Sequence, residues 1–302
     1  MTETFSPTQT LKSNVTAVAM ALNYTMRSNL ENPTDEHEAI HLVRKEIKKM
    51  RALIRLIRVA IGETHFKVEN TDYRDIGRNL SGLRDATALI ETVDKLLKTA
   101  PNNLYEELFS IKAALTAERK ELFKDLGDQT KVRKTILQDL SVLKGRISEW
   151  PLKEEDFSTW ATGLKKTYKK GKKLCKMAAL SQDAHDFHEW RKQVKYLWNQ
   201  LRFLKELWPP ISAVYIEMLS DLSSLLGDEH DLTIFKEKIS SDGIAGEISK
   251  DLASLIEEDV KLLRAQALEL GQLIYAEKSS AFFSRKAVYW AVGQGKHEIK
   301  NV

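Results

Sequence analysis

The sequence predicts an all-α protein, and three observations carry the prediction. Apolar residues recur at spacings of three and four almost throughout, the signature of one face of a helix. Leu, Lys, Glu and Ala dominate, and the β-branched alternation that strands need is hard to find. The six prolines (Pro7, Pro33, Pro101, Pro151 and the pair Pro209–Pro210) stand between the periodic stretches. A residue with no N–H is tolerated at a helix start and disfavoured inside one.

Taken in order, these signals place helices near residues 8–29, 34–61, 70–98, 102–126, 129–148, 155–180, 184–207, 211–226, 231–240, 245–270 and 274–291. Pro7 precedes the first. Asn32-Pro33 reads as a cap and first-turn proline for the second. Pro101 precedes the fourth, and Pro209–Pro210 opens the eighth. The nearest thing to a domain break is Trp150-Pro151 with the charged residues after it.

The chain also repeats itself. Residues 40–61, IHLVRKEIKKMRALIRLIRVAI, align without a gap with residues 187–208, FHEWRKQVKYLWNQLRFLKELW. His41 meets His188, Arg44 meets Arg191, Lys45 meets Lys192 and Lys48 meets Lys195. Arg55 meets Arg202, and Arg58 meets Lys205. The apolar positions correspond as well, from Ile40 with Phe187 to Ile57 with Leu204. A second pair follows: residues 79–93 align with 225–239, so that Asp85 meets Asp231 and Thr87 meets Thr233. The chain therefore divides into two homologous halves, about 1–150 and 151–302. A repeat this long suggests a duplicated helical bundle and not a solenoid of short units.

Over 302 residues the net charge is only +4, but it is segregated. Residues 41–58 carry +6, residues 165–176 carry +7 with no acid, and residues 188–205 carry +4. The remaining 254 residues must then sum to −13. Such segregation points to an anionic partner.

On a helix, Ile40, Val43, Ile47, Met50, Ile54, Ile57 and Ile61 form one stripe, suited to a bundle interior. His41, Arg44, Lys48, Arg51, Arg55 and Arg58 form a second stripe beside it. The later copy gives His188, Arg191, Lys195, Arg202 and Lys205, with Trp198 at the Arg51 position. Like charges at these spacings repel by a few tenths of a kcal/mol per pair. A row with only Glu46 nearby is therefore expected to face acids from elsewhere or a polyanion. Arginine suits phosphate because its planar fork binds two oxygens and stays charged. Lys165, Lys169, Lys172 and Lys176 share a face of a third basic helix, with Lys166, Lys170 and Lys173 beside it and with Leu164 and Tyr168 turned to the bundle. The first half has no equivalent run, only Lys12 and Arg27.

Other classes of function find little support. Cys175 is the one cysteine, which excludes an intrachain disulfide framework and a cysteine-based zinc site. His41 has no His or carboxylate at i+3 or i+4, so no metal is expected there. Glu229-His230-Asp231 contains a His-Asp doublet of the kind some metal phosphohydrolases use, but its repeat partner, Leu83-Arg84-Asp85, lacks the histidine. Asp85 and Asp231 read instead as caps or turn residues at a helix junction. There is no Walker or dinucleotide-binding glycine loop, and no Ser or Cys nucleophile in a motif context. The six tryptophans do not alternate with the basic residues as a base-stacking platform would, which disfavours nucleic acid. No apolar run approaches the roughly 20 residues of a membrane helix. The first ten residues show no signal-peptide pattern, so a cytoplasmic setting is expected.

H-x-x-R-K-x-x-K at 41–48 and again at 188–195, L-R-D at 83–85, L-G-D-x-x-D at 226–231 and the Tyr-Lys-rich helix at 163–176 together resemble the CHAD family, the histidine-containing α-helical domains. The resemblance covers nearly the whole chain. It implies two four-helix bundles related by a pseudo-two-fold axis, with a basic surface or pore between them. It also implies binding of inorganic polyphosphate, and association with polyphosphate granules as for some members. Members are often fused to a triphosphate-tunnel domain. No E-x-E-x-K signature of that domain occurs here, so a stand-alone, non-enzymatic module with no cofactor is expected. The residues expected to hold polyphosphate are His41, Arg44, Lys45, Lys48, Arg51, Arg55, Arg58, Lys165, Lys169, Lys172, Lys173, Lys176, His188, Arg191, Lys192, Lys195, Arg202 and Lys205. Tyr196 and Trp198, at basic positions of the first half, depart from the repeat.

Overall fold

The computed structural model describes residues 3–125, 129–152, 156–241 and 248–295, and side chains for all of these except 81–84, 123–125, 129–130 and 241. Among the described residues every regular element is helical. They are α1 (Leu11–Glu31), α2 (Glu36–Leu56), α3 (Arg58–Asn79), α4 (Ser81–Thr99), α5 (Tyr105–Asp125), α6 (Gln129–Ile147), α7 (Phe157–Trp160), α8 (Thr162–Ser181), α9 (Ala184–Phe203), α10 (Pro209–Ser241), α11 (Lys250–Ile274) and α12 (Ser279–Gly293). Short 3-10 turns precede α5 and follow α9. No described helix is long and apolar enough to cross a membrane.

Several boundaries differ from the sequence expectation, each for a local reason. The cap of α2 is Asp35, not Asn32: its carboxylate accepts from the amides of His37 (2.7 Å) and Glu38 (3.1 Å). These donors hold the Asp35 carboxyl below its ordinary pKa. The helix expected over 34–61 stops at Leu56. α3 starts at Arg58, and inside it Gly62 takes φ 77°, a positive value open to glycine, where the chain kinks and turns back. The helix expected over 70–98 is broken at Leu80. Conversely, the two helices expected over 211–240 are one, the 33-residue α10. Asp231 thus lies inside α10 and Asp85 inside α4, past its first turn, so neither is the junction residue expected. The starts expected at 155 and 245 lie outside the described residues.

Two apolar cores result. The central one joins α1, α2, α3, α6, α7, α8, α9, α12, the first part of α10 and the end of α11, with Met50, Leu53, Trp160, Tyr168, Trp190 and Phe203 buried in it. The outer one joins α4, α5, the end of α10 and the start of α11 around Val93, Leu108, Ile111 and Phe235. Each core draws on both sides of residue 150. Helices α2 and α9, which carry the repeated segments, pack together near the middle. There the Gln200 amide donates to the Ala52 carbonyl (3.2 Å).

Close approach elsewhere depends on missing side chains. Gly163 sits on the carbonyls of Arg55 and Leu56 at the end of α2, and a Cβ there would overlap both. Gly271 lets α11 approach Trp190, whose Cζ2 would lie 2.5 Å from an added Cβ.

A basic cleft between α2, α3, α8 and α9

The reversal at Gly62 folds α3 back along α2, while Gly163 seats α8 against the end of α2. Between them lies a cleft of about 720 Å³. From α2 it receives Arg44, Lys48, Arg51 and Arg55, with Arg58 just beyond the helix end. From α3 come Phe66, Asn70, Arg74, Gly77 and Arg78, from α8 Gly163, Lys166, Thr167 and Lys170, and from α9 Glu189, Lys192, Gln193 and Tyr196. Glu189 is the single acid of this lining, and it is paired with Lys192.

The arginines are held, not free. Asn70 Oδ1 accepts from Arg51 Nε (3.2 Å) and also from Arg55 Nη1. Arg55 Nη1 donates further to the Arg51 carbonyl (3.2 Å). The Arg55 guanidinium lies over the Tyr196 ring at 4.1 Å, and that of Arg58 over Phe66 at 4.2 Å. Arg58 is also forked onto Glu63 (2.6 and 2.8 Å). Arg44 donates to the Gly77 carbonyl (2.9 Å) and approaches Asp85 (3.8 Å). Arg74 pairs with Asp75 (2.8 Å). Burial, then the neighbouring Arg51 and Arg58 charges, lowers the Arg55 pKa to about 10. It remains charged near neutrality, and a bound anion would favour that charge.

The expected site residues thus divide. Arg44, Lys48, Arg51, Arg55, Arg58 and Lys192 meet in the cleft. The other residues expected in the site lie elsewhere. His41 borders a separate depression with Asp35, Glu38 and Glu91, an acidic setting. Lys45 projects about 100° around α2 from Arg44 and is exposed. On α9 the second copy of the stripe faces away from the cleft, towards α10. The His188 ring lies 4.4 Å from that of His230, and Gly227 passes close to the Arg191 guanidinium. Burial lowers the Arg191 pKa, while Asp231, Glu229 and Asp228 oppose the shift. Lys195 bears on the same group, acting with burial, Arg191 and His188 to depress His230 to about 3. Glu229 itself is buried and bound by Arg264 (2.7 and 2.9 Å). Arg202 packs over Trp198 at 5.0 Å, and Lys205 is beside Glu206 (3.8 Å).

On α8, Lys166 and Lys170 line the cleft. The expected face, Lys165, Lys169, Lys172 and Lys176, lies outside it, as does Lys173. Lys165 approaches the Phe283 ring (5.8 Å). Lys172 donates to the carbonyls of Ala276 (3.2 Å) and Glu277 (2.7 Å), tying α8 to the turn before α12.

Sequence reasoning missed Asn70, Arg74 and Arg78, which share a face at spacings of four, a pattern visible once α3 is known to turn back. It also treated Tyr196 only as a departure from the repeat. Among the described residues no group of three or more His, Cys, Asp and Glu is placed to hold a metal ion. Of the doublet's repeat partner, the side chains of Leu83 and Arg84 lie outside the described residues.

A protein-family model described as the CHAD domain matches residues 23–239. Among solved structures, the crystal structure of the CHAD domain from the plant Ricinus communis is similar. Its TM-score is 0.62 at 17% identity, over 91% of this chain and 94% of that one. PptA from Streptomyces chartreusis gives a TM-score of 0.52 at 10% identity, over 93% and 99% of the respective chains. At such identities these likenesses bear on the fold alone. No curated protein matches. Because the matched stretch spans most of the chain and all of the cleft-forming residues, this protein belongs to the CHAD domain family.

Proposed function

We propose that this protein binds inorganic polyphosphate in the cleft between α2, α3, α8 and α9, without acting on it as an enzyme. One observation carries the reading. The lining holds ten Arg and Lys side chains against one acid, itself paired. Polyphosphate presents oxygens along its whole length and no base edges. A track of forked guanidinium groups with flexible lysines opposite suits it. Membership of a family linked to polyphosphate binding supports the same reading.

The chain is also read as a duplication of one helical unit about a pseudo-two-fold axis, with repeats 1–150 and 151–302. The pairing of Arg44 with Asp85, and of Arg191 with the charge of Asp231, supports it. In this reading one copy of the stripe binds the ligand, and the other, half-buried, packs towards α10. A cytoplasmic site of action, with access to polyphosphate granules, belongs to the same proposal. A phosphohydrolase built on His230 and Asp231 draws less support, because both lie outside the cleft.

The test is competition. Labelled long-chain polyphosphate is displaced by unlabelled chain, by single-stranded DNA of equal charge and by triphosphate at two salt concentrations. Preferential displacement by polyphosphate, lost in Arg51→Ala/Arg55→Ala and kept in Arg191→Ala, is expected. Equal displacement by DNA would make the cleft a general polyanion site. Orthophosphate release abolished by His230→Ala would overturn the non-enzymatic reading.

A further inference from the structure

Resting on the polyphosphate reading, we propose that the cleft is the inner part of a longer track. A long chain leaves it across the outer face of α8, held there by Lys169, Lys173 and Lys176, so that affinity depends on chain length.

Continuity is the first argument. Lys166 and Lys170 already line the cleft. At about 100° per residue, Lys173 falls within roughly 20° of Lys166 two turns further on, and Lys169 and Lys176 lie beside it on the ridge. A chain passing the rim meets these three ammonium groups next.

The state of these lysines is the second. All three are exposed. Among the described residues none has an ion pair or a hydrogen bond, whereas Lys172 is bound to two carbonyls. No acid lies between residues 165 and 176 to relieve their mutual repulsion.

Fixed placement is the third. Gly171 lies against the Tyr275 hydroxyl and Gly163 against the α2 carbonyls, so α8 cannot roll without a clash. Tyr168 stacks on Phe282 at 4.1 Å. The ridge therefore stands at a set position beside the cleft. The corresponding helix of the first half, α1, offers no such path. It carries only Lys12 and Arg27, and Arg27 is paired with Glu31 (3.3 Å).

The experiment measures binding of triphosphate and of long-chain polyphosphate to the full chain and to Lys169→Gln/Lys173→Gln/Lys176→Gln, with Lys12→Gln as control. Glutamine keeps helix propensity and removes repulsion, so folding is expected to survive, as melting would verify. The triple variant is expected to bind triphosphate as the parent does, but long chain about tenfold more weakly. Its salt slope should be smaller by about 2, at roughly 0.7 for each phosphate of a single-stranded polyanion that is no longer neutralised. Unchanged long-chain affinity and slope would overturn the track. So would an equal loss for both ligands, which would put these lysines in the cleft's own chemistry. A loss for single-stranded DNA as large as for polyphosphate would make the ridge a general anion surface and overturn its assignment. If the parent binds neither phosphate ligand, it is the polyphosphate reading itself that has failed.

Discussion

The guanidinium of Arg55 lies 4.1 Å over the ring of Tyr196 and so joins the two repeated helices across the cleft. The stacking leaves the edges of the arginine fork for hydrogen bonding, and Asn70 takes one of them. Arg51 and Arg55 are thus aimed before any ligand arrives, which reduces the ordering cost of binding.

Removing the aim should weaken binding without unfolding the protein. Asn70→Ala deletes the acceptor shared by Arg51 and Arg55 and is expected to cost about 1.5 kcal/mol, close to tenfold in Kd. Isothermal calorimetry with polyphosphate measures this. An unchanged Kd would show that the two arginines orient without Asn70.

Gly163→Ala should act on the scaffold. The added methyl meets backbone carbonyls at the end of α2, which have no rotamer to yield. A loss of about 1–3 kcal/mol in stability is expected, together with weaker binding as α8 is pushed from the cleft. Urea denaturation reads the first effect and titration the second.

Glu229 is buried and answers Arg264 at 2.7 Å. Truncating it leaves cations without their counter-charge. Glu229→Ala is expected to destabilise the protein by about 3–5 kcal/mol. A variant melting at the parent temperature would contradict this.

Acid should weaken the fold through the same region. His230 has a folded pKa near 3 against an ordinary 6.5, because burial and then Arg191 oppose its charge. The unfolded chain therefore binds the proton first. Stability is full above about 6.5 and falls as the pH drops towards 3. His188, also lowered, adds to this trend. His230→Gln should flatten the pH dependence between these limits in denaturant titrations.

The α2 stripe was legible because a charged face has the helix period, and that period survives folding. The orientation of its copy was not. His188 and Arg191 have the same spacing as His41 and Arg44, yet α9 turns them towards α10. Which face meets solvent is decided by packing partners such as Gly227 and Glu229, far away in sequence. On α8 the helix and its buried Leu164 and Tyr168 were readable, but the choice between Lys165 and Lys166 as the cleft-facing residue rests on a rotation of about 100°. The turn at Gly62 hid Asn70, Arg74 and Arg78, since a single glycine inside a periodic stretch gives little warning of a reversal.

The unbroken α10 has a mechanical consequence. Its 33 residues span about 50 Å, and it belongs to the central core at one end and the outer core at the other. It works as a beam that carries the α4–α5 core at one end, while the first turns of α4 stay in touch with the cleft through Asp85 and Arg44. Cargo attached to the far end of the beam would ride at a set distance from the central core.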